Sequence, residues 1–197
     1  MHAEHTINAS TFAAMVCAST LAGPFRVIAA AIGTLAGPLH GGANQRVVEM
    51  LDEIGRPENV RDWLEMKQEE KDVIWGMGHR EYKTKDPRAI ILQKMLHEWA
   101  DKKGDLSPMF ETALELERQC EEILGPKGVY PNVDYYSGIL YSEMGIPADQ
   151  FTPIFAVSRI AGWMAHWKEQ LSDNRIFRPT QIYTGHPPRD YVPIDQR

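Results

Sequence analysis

The chain has 197 residues, enough for one substantial hydrophobic core or for one and a half small ones. It is 43% hydrophobic and 24% charged with a formal net charge of −6, which argues against a nucleic-acid-binding surface as its main role and leaves room for local basic sites that hold small anions. The longest apolar stretch, about Val27 to Leu39, is broken by Gly33, Gly37 and Pro38 and is too short to cross a bilayer. From Ala9 a run rich in small residues predicts a tightly packed helix that ends at Gly23-Pro24. A second helix, Phe25 to about Leu35, is hydrophobic nearly all round and predicts burial. A third follows Gly41-Gly42, with Val47, Val48, Met50, Leu51 and Ile54 at helical spacing and Gly55 as its stop. Asp86-Pro87 and Ser107-Pro108 each place a capping residue before a proline that opens a helix. The apolar stripes expected there are Ile90, Ile91, Met95, Leu96 and Trp99, then Phe110, Leu114, Leu116 and Ile123. Two more helices are predicted over Asn132–Met144 and Ala148–Leu171, parted by Gly145-Ile146-Pro147. No alternating run is long enough for a core strand, so the predicted class is all-α. From Arg178 onward, Pro179, Pro187, Pro188 and Pro193 predict an extended arm lying on a surface.

Chemistry concentrates at three glycine-rich or Pro-Asn turns: Gly37-Pro38-Leu39-His40-Gly41-Gly42, Gly76-Met77-Gly78-His79-Arg80 and Tyr130-Pro131-Asn132-Val133-Asp134. Glycine lets backbone crowd a ligand, so two histidines and an aspartate set this way read as positioned groups, although each turn alone is equally a helix connection. His2 and His5 find no further ligands that complete a zinc set, and no metal is expected. The Gly-x-Ser-x-Gly elbow and parallel sheet of a serine hydrolase are absent, and Gly76-Met77-Gly78 lacks the third glycine of a dinucleotide fingerprint. Arg80, Lys83, Lys85 and Arg88 follow His79 closely, a run that usually means a solvated face, but Arg88 falls one turn into the helix opened by Asp86. Arg159 lies inside an apolar run, where an unpaired charge is costly, and a bound carboxylate is the expected partner. Arg178, at the start of the arm, is a third carboxylate candidate. Cys17 and Cys120 form no Cys-x-x-Cys motif, and His2, Glu4 and His5 stand where a leader would be basic and then apolar. A reduced, cytoplasmic setting is therefore the expectation.

In order, the chain carries His5-x-x-Asn8-Ala9-Ser10-Thr11, Gly37-Pro38-Leu39-His40-Gly41-Gly42-Ala43-Asn44 and Gly76-x-Gly78-His79-Arg80 with Asp86-Pro87-Arg88. Tyr130-Pro131-Asn132-Val133-Asp134, Ser158-Arg159-x-x-Gly162-Trp163 and Arg178-Pro179-x-Gln181 follow. This set resembles citrate synthase of the bacterial kind over essentially the whole chain, and the related 2-methylcitrate synthase shares it. The resemblance implies an all-α fold with a small helical domain (42–146) and an incomplete large one, made of 1–41 and of 147–197 with the arm. It also implies that the chain corresponds to the C-terminal portion of the enzyme.

The activity implied is condensation of acetyl-CoA with oxaloacetate, followed by hydrolysis of citryl-CoA to citrate and CoA. The alternatives are propionyl-CoA as the acyl donor, an inactive fragment, or a module whose other half comes from another chain. By resemblance Asp134 is the base, His40 the neutral donor to the thioester oxygen, and His79 the group that polarises and protonates the oxaloacetate carbonyl. His5, Arg88 and Arg159 would hold the oxaloacetate carboxylates, with Arg178 reaching in from a second subunit. Ile74, Gly76 and Gly78 would lie along CoA beside lysines that meet its phosphates. Acetyl-CoA is a substrate, no metal or redox cofactor is required, and the complete protein is expected to be a homodimer or a higher homo-oligomer. The 197 residues alone are expected to be inactive.

Overall fold

The computed structural model describes residues 2–197, and among them the regular structure is helical. The helices are α1 (Ala9–Ser19), α2 (Pro24–Leu35), α3 (Ala43–Ile54), α4 (Val60–Glu70), α5 (Pro87–Lys103), α6 (Pro108–Leu124), α7 (Val133–Glu143) and α8 (Phe151–Ser172). Short 3-10 turns precede α4 and α8. The helix predicted to run to Gly23 ends at Ser19, because Leu21 takes a left-handed backbone (φ 62°) that no helix continues through. No helix of the described residues is long and apolar enough to cross a membrane.

Two hydrophobic clusters organise these elements. Ala14, Ala18, Val27, Ala31, Leu35, Phe155 and Trp163 pack α1, α2 and α8 together, and the alanines let the helices approach closely. The second cluster runs through α3, α4, α5, α6 and α7, with Leu51, Leu64, Leu96, Phe110, Leu116, Tyr135 and Ile139 at its centre. Tyr135 is fully buried and donates its hydroxyl to Ala113 O at 2.8 Å, so its ring is packed without orphaning its polar end.

Three expectations need correction. α2 is not buried all round: it covers Val27, Ala31 and Leu35 but leaves Phe25 91% exposed, since only one side of the helix meets α1 and α8. The stripe of α5 runs through Ala89, Leu92, Leu96 and Ala100, while Ile90, Ile91 and Met95 face outward. The Asp86 cap fixes the phase of this helix, and the packing of α7 selects the face with smaller residues. In α6, likewise, Ala113, Leu116 and Cys120 are buried and Ile123 is exposed. α4 was not legible as a helix; it inserts Val60, Trp63 and Leu64 into the core from an otherwise charged segment.

A buried polar knot lies inside the second cluster. Lys85 pairs with Glu117 and donates to Gln93 Oε1 at 2.7 Å. Gln93 Nε2 donates to Glu117 Oε2 and to Tyr136 Oη, both at 2.9 Å, and the Tyr136 hydroxyl donates to Glu117. The knot ties the segment carrying His79 to α5, α6 and α7.

Candidate active site

The candidate residues cluster at helix N-termini. Asn8 caps α1 through Thr11 N–H (3.1 Å), Asp86 caps α5 through Arg88 N–H (2.8 Å), and Asn132 caps α7 through Asp134 N–H (2.9 Å). His40 stands two residues before Gly42, the N-cap of α3. Cross-links gather these ends: Ser10 to His40, Asn132 Nδ2 to Gly78 O (2.9 Å), and Asp86 N–H to Pro131 O (3.1 Å). Each helix start carries partial positive charge, so their meeting point suits an anion. A cleft of about 730 Å³ opens there, lined by His5, Asn8, His40, Gly78 and His79 among others.

His40 is held as one tautomer. Ser10 N–H donates to its Nε2 at 3.3 Å, so Nε2 carries a lone pair and the ring proton of the neutral form sits on Nδ1. Ser10 Oγ lies 2.8 Å from the same nitrogen, accepts from Trp163 Nε1 at 3.2 Å and is 2.9 Å from Asn8 Oδ1. Burial, reinforced by Arg159, lowers the imidazole pKa and keeps it neutral. The result is a single N–H donor, without a protein partner among the described residues.

His79 reaches the same condition by different means. Its Nδ1 accepts from Glu81 N–H at 3.1 Å and Tyr82 N–H at 3.4 Å, which places the proton on Nε2. Burial, then Arg88, holds its pKa below the ordinary value. The preceding turn is fixed by pairing with the Asp134 turn: Gly78 N–H donates to Tyr130 O and Asn132 N–H to Gly76 O, both at 2.8 Å. Gly76 and Gly78 have φ of +78° and +86°, conformations that glycine tolerates and other residues pay for in strain. Gly76 also lies against Tyr135, where a Cβ would come within 2.9 Å of its Cα.

Asp134 occupies the first turn of α7, partly buried. Burial raises its pKa to about 6, against the attraction of Arg88 and Arg159. A carboxylate with this value is ionised at neutral pH and a stronger base than an ordinary aspartate.

The basic residues divide. Arg88 closes on buried Asp86 with Nε and Nη2 at 3.1 and 2.7 Å. Burial pushes Asp86 up, but hydrogen bonds from the Arg88 side chain and N–H outweigh it and hold the carboxyl low. Arg159, 2% exposed, makes no ion pair among the described residues; Nε donates to His2 O at 2.5 Å and the guanidinium lies 4.7 Å from the Phe155 ring. Its immediate protein partner is thus a main-chain carbonyl, with no carboxylate in salt-bridge reach. His5 stacks on Tyr82 with ring centroids 5.7 Å apart and lies 5.3 Å from the His79 ring. Arg178 is not brought to this cleft; it lines a separate one with Phe12, Met15 and Phe177. Ile74 is likewise separate, lining a hollow of about 300 Å³ with Met77, Leu124, Val129, Lys67 and Lys71. His2 packs against Phe155 (4.3 Å), and no group of three or more His, Cys, Asp or Glu among the described residues could hold a metal ion.

Ser10, Asn132 and Asp86 act on the site, yet sequence reasoning gave them no role beyond capping or membership of a motif. Asn132 had the readable signal, since an Asn before the first helical residue is a cap. The main-chain N–H of Ser10 had none.

The family described as citrate synthase, C-terminal domain, matches residues 1–180. The chain is 62% identical to the citrate synthase of Acidithiobacillus ferridurans and 58% identical to that of Synechocystis sp., in each case over its whole length and over 51% and 49% of the relative. It therefore belongs to the citrate synthase family, and it spans about half the length of the curated relatives it matches. Among solved structures it superposes on the ternary complex of carboxymethyl coenzyme A and oxaloacetate with the Thermoplasma acidophilum citrate synthase. That match has a TM-score of 0.92 and 40% identity, covering the whole chain and 52% of the other. The Thermotoga maritima citrate synthase gives 0.89 and 45%, covering the whole chain and 53% of the other.

Proposed function

We propose that this chain supplies the reacting groups of a site that condenses acetyl-CoA with oxaloacetate and hydrolyses the citryl-CoA formed to citrate and CoA. The observation that carries this reading is the pair of neutral imidazoles, each pinned at one nitrogen by a backbone N–H and offering one free N–H, beside a carboxylate of raised pKa. The reaction makes those demands. A methyl proton next to a thioester is too weakly acidic for a carboxylate alone, so negative charge developing on the thioester oxygen must meet a fixed donor. Asp134 takes the proton while His40 Nδ1–H holds the enolate oxygen. The enolate carbon attacks the oxaloacetate carbonyl carbon as His79 Nε2–H donates to its oxygen, which becomes the hydroxyl of citryl-CoA. Water then splits the thioester, releasing CoA.

Arg159, His5 and the free face of Arg88 meet the two carboxylates, at helix ends that already favour anions. Arg178, lying apart from the cleft, fits a role across a subunit contact. The hollow beside Ile74 and Met77, with Lys67 and Lys71 at its rim, suits the CoA nucleotide. The segments joining the two hydrophobic clusters, near Gly41 and Ile146, are where one domain would close on the other and shed water from the enolate.

The test is oxaloacetate-dependent CoA release from acetyl-CoA, followed with a thiol reagent, in a full-length polypeptide carrying this sequence and in the 197 residues alone. Release by the former, faster with acetyl-CoA than propionyl-CoA, is the expected outcome. No release would overturn the reading, and faster release with propionyl-CoA would overturn the choice of acyl group. The 197 residues alone are expected to turn over negligibly, because Phe12, Phe25, Ile32 and Val157 stand uncovered on α1, α2 and α8.

A further inference from the structure

Residues 2–4 run as a strap along one face of α8, fastened at three successive points. Arg159 Nε donates to His2 O at 2.5 Å, Gly162 N–H donates to Ala3 O at 3.0 Å, and His166 Nε2 meets Glu4 Oε1 at 2.9 Å. Positions 159, 162 and 166 are spaced to share one helix face. The middle contact is backbone on backbone: a Cβ at Gly162 would stand 2.5 Å from Ala3 O and 3.2 Å from Glu4 Cγ. The clash falls on main chain, and the residues on either side of Ala3 are tied to Arg159 and His166, so relief requires the strap to move outward against those fastenings. The next residue is His5, whose ring lies 8° from parallel with Tyr82. Thr6 N–H donates back to Glu4 Oε2 at 2.8 Å, and Thr6 itself takes a positive φ of 52°, so the chain turns sharply after the strap.

We propose that Gly162 is the positioning residue for His5: the missing side chain on α8 lets the strap lie flush, and the flush strap sets the imidazole against Tyr82 and His79. This rests on the reading that His5 belongs to the substrate site, but the placement of the ring can be measured separately. On an open helix face, alanine in place of glycine adds stability through helix propensity. Here the added methyl has to lift the strap, and the sign reverses.

The test is Gly162→Ala in the full chain, read by proton NMR of the His5 ring and by thermal melting. The His5 Hε1 resonance, displaced by the Tyr82 ring it stacks on, is expected to return toward the position of an unstacked histidine. The resonance of His97, packed edge-on to Phe110 at 4.9 Å, should stay in place and report that the fold persists. An unchanged His5 resonance together with a raised melting temperature would overturn the proposal. If Gly162→Ala does not fold, Glu4→Ala removes one fastening without adding an atom. It should move the His5 resonance part of the way in the same direction, and no movement overturns the proposal. Oxaloacetate affinity, by calorimetry, should weaken at least tenfold with Gly162→Ala. If the ring moves and the affinity does not, the strap stands and what fails is the assignment of His5 to substrate.

Discussion

Asn132 donates its side-chain amide to the carbonyl of Gly78 at 2.9 Å, across 54 residues of sequence, while its other amide atom accepts the N–H of Asp134. One side chain thereby sets the spacing between the turn of His79 and the start of α7. Asn132→Ala is expected to lose both functions, about 1 kcal/mol for the cap and about 1 kcal/mol for the hydrogen bond. Asn132→Asp keeps the cap but sets a carboxylate oxygen against the Gly78 carbonyl oxygen, so it loses the donor, about 1 kcal/mol, and adds a repulsion between two acceptors. Urea denaturation should place both variants below the parent, and both should lower kcat.

Asp134 should impose an acid limb on the reaction. On the proposed function Asp134 is the base and acts as a carboxylate, so kcat/KM should rise with pH through about 6. Stability runs the other way: the folded chain holds this proton at pH values where the unfolded chain has released it. Stability contributed by Asp134 is therefore lost as pH rises from about 4 through about 6, by roughly 3 kcal/mol at most. Asp134→Asn should abolish condensation yet melt higher at pH 7 than the parent. A lower melting temperature would show that Asp134 is not held against its charge.

Ser10→Ala leaves the N–H that fixes the His40 tautomer but strips the acceptor from Trp163 Nε1, a fully buried group. An orphaned buried donor costs about 1–3 kcal/mol. Trp163→Phe removes that donor but leaves a cavity, so in a double-mutant cycle by urea denaturation the double variant should lose less than the sum of the two single losses.

Gly76→Ala meets both a left-handed backbone and the Tyr135 main chain. Strain of about 1–2 kcal/mol and overpacking of about 1–3 kcal/mol add, for roughly 3 kcal/mol in all. Gly104→Ala shares the positive φ, at +95°, but faces open space, so only the strain of about 1–2 kcal/mol applies. Equal denaturation midpoints for the two would remove the packing argument.

Lys85→Met leaves Glu117 charged and buried beside Tyr136, at about 3 kcal/mol. Combining it with Glu117→Gln removes the charge as well and should restore most of the loss, again by urea denaturation.

The helices were legible where side chains announce them. Asp86-Pro87, Ser107-Pro108 and Asn132 mark starts, and Gly55 marks a stop that the structure keeps. α4 escaped because Val60, Trp63 and Leu64 are diluted by Arg61, Asp62 and Glu65, and a single turn of stripe is too little to reveal a period. In α5 both faces carry apolar residues, and only the tertiary partner decides between Ile90 with Ile91 and Ala89 with Leu92. For the site, the residue types were readable and their protonation was not. The His40 tautomer depends on the N–H of Ser10, and the partner of Arg159 is the carbonyl of His2. Main-chain groups are the same at every position and leave no mark in a sequence.

Arg159 carries one further consequence. Its charge is buried against a neutral carbonyl and an aromatic face, with no ion pair among the described residues, and burial lowers its pKa against the more distant attraction of Glu4 and Asp134. An anion that reaches it relieves that penalty only in the folded state. On the proposed function that anion is the dicarboxylate substrate, and by mass action a ligand at a hundred times its dissociation constant adds about 2.7 kcal/mol to the stability of the chain that binds it. Under that proposal the concentration of the ligand sets how much of the folded chain survives unfolding and proteolysis.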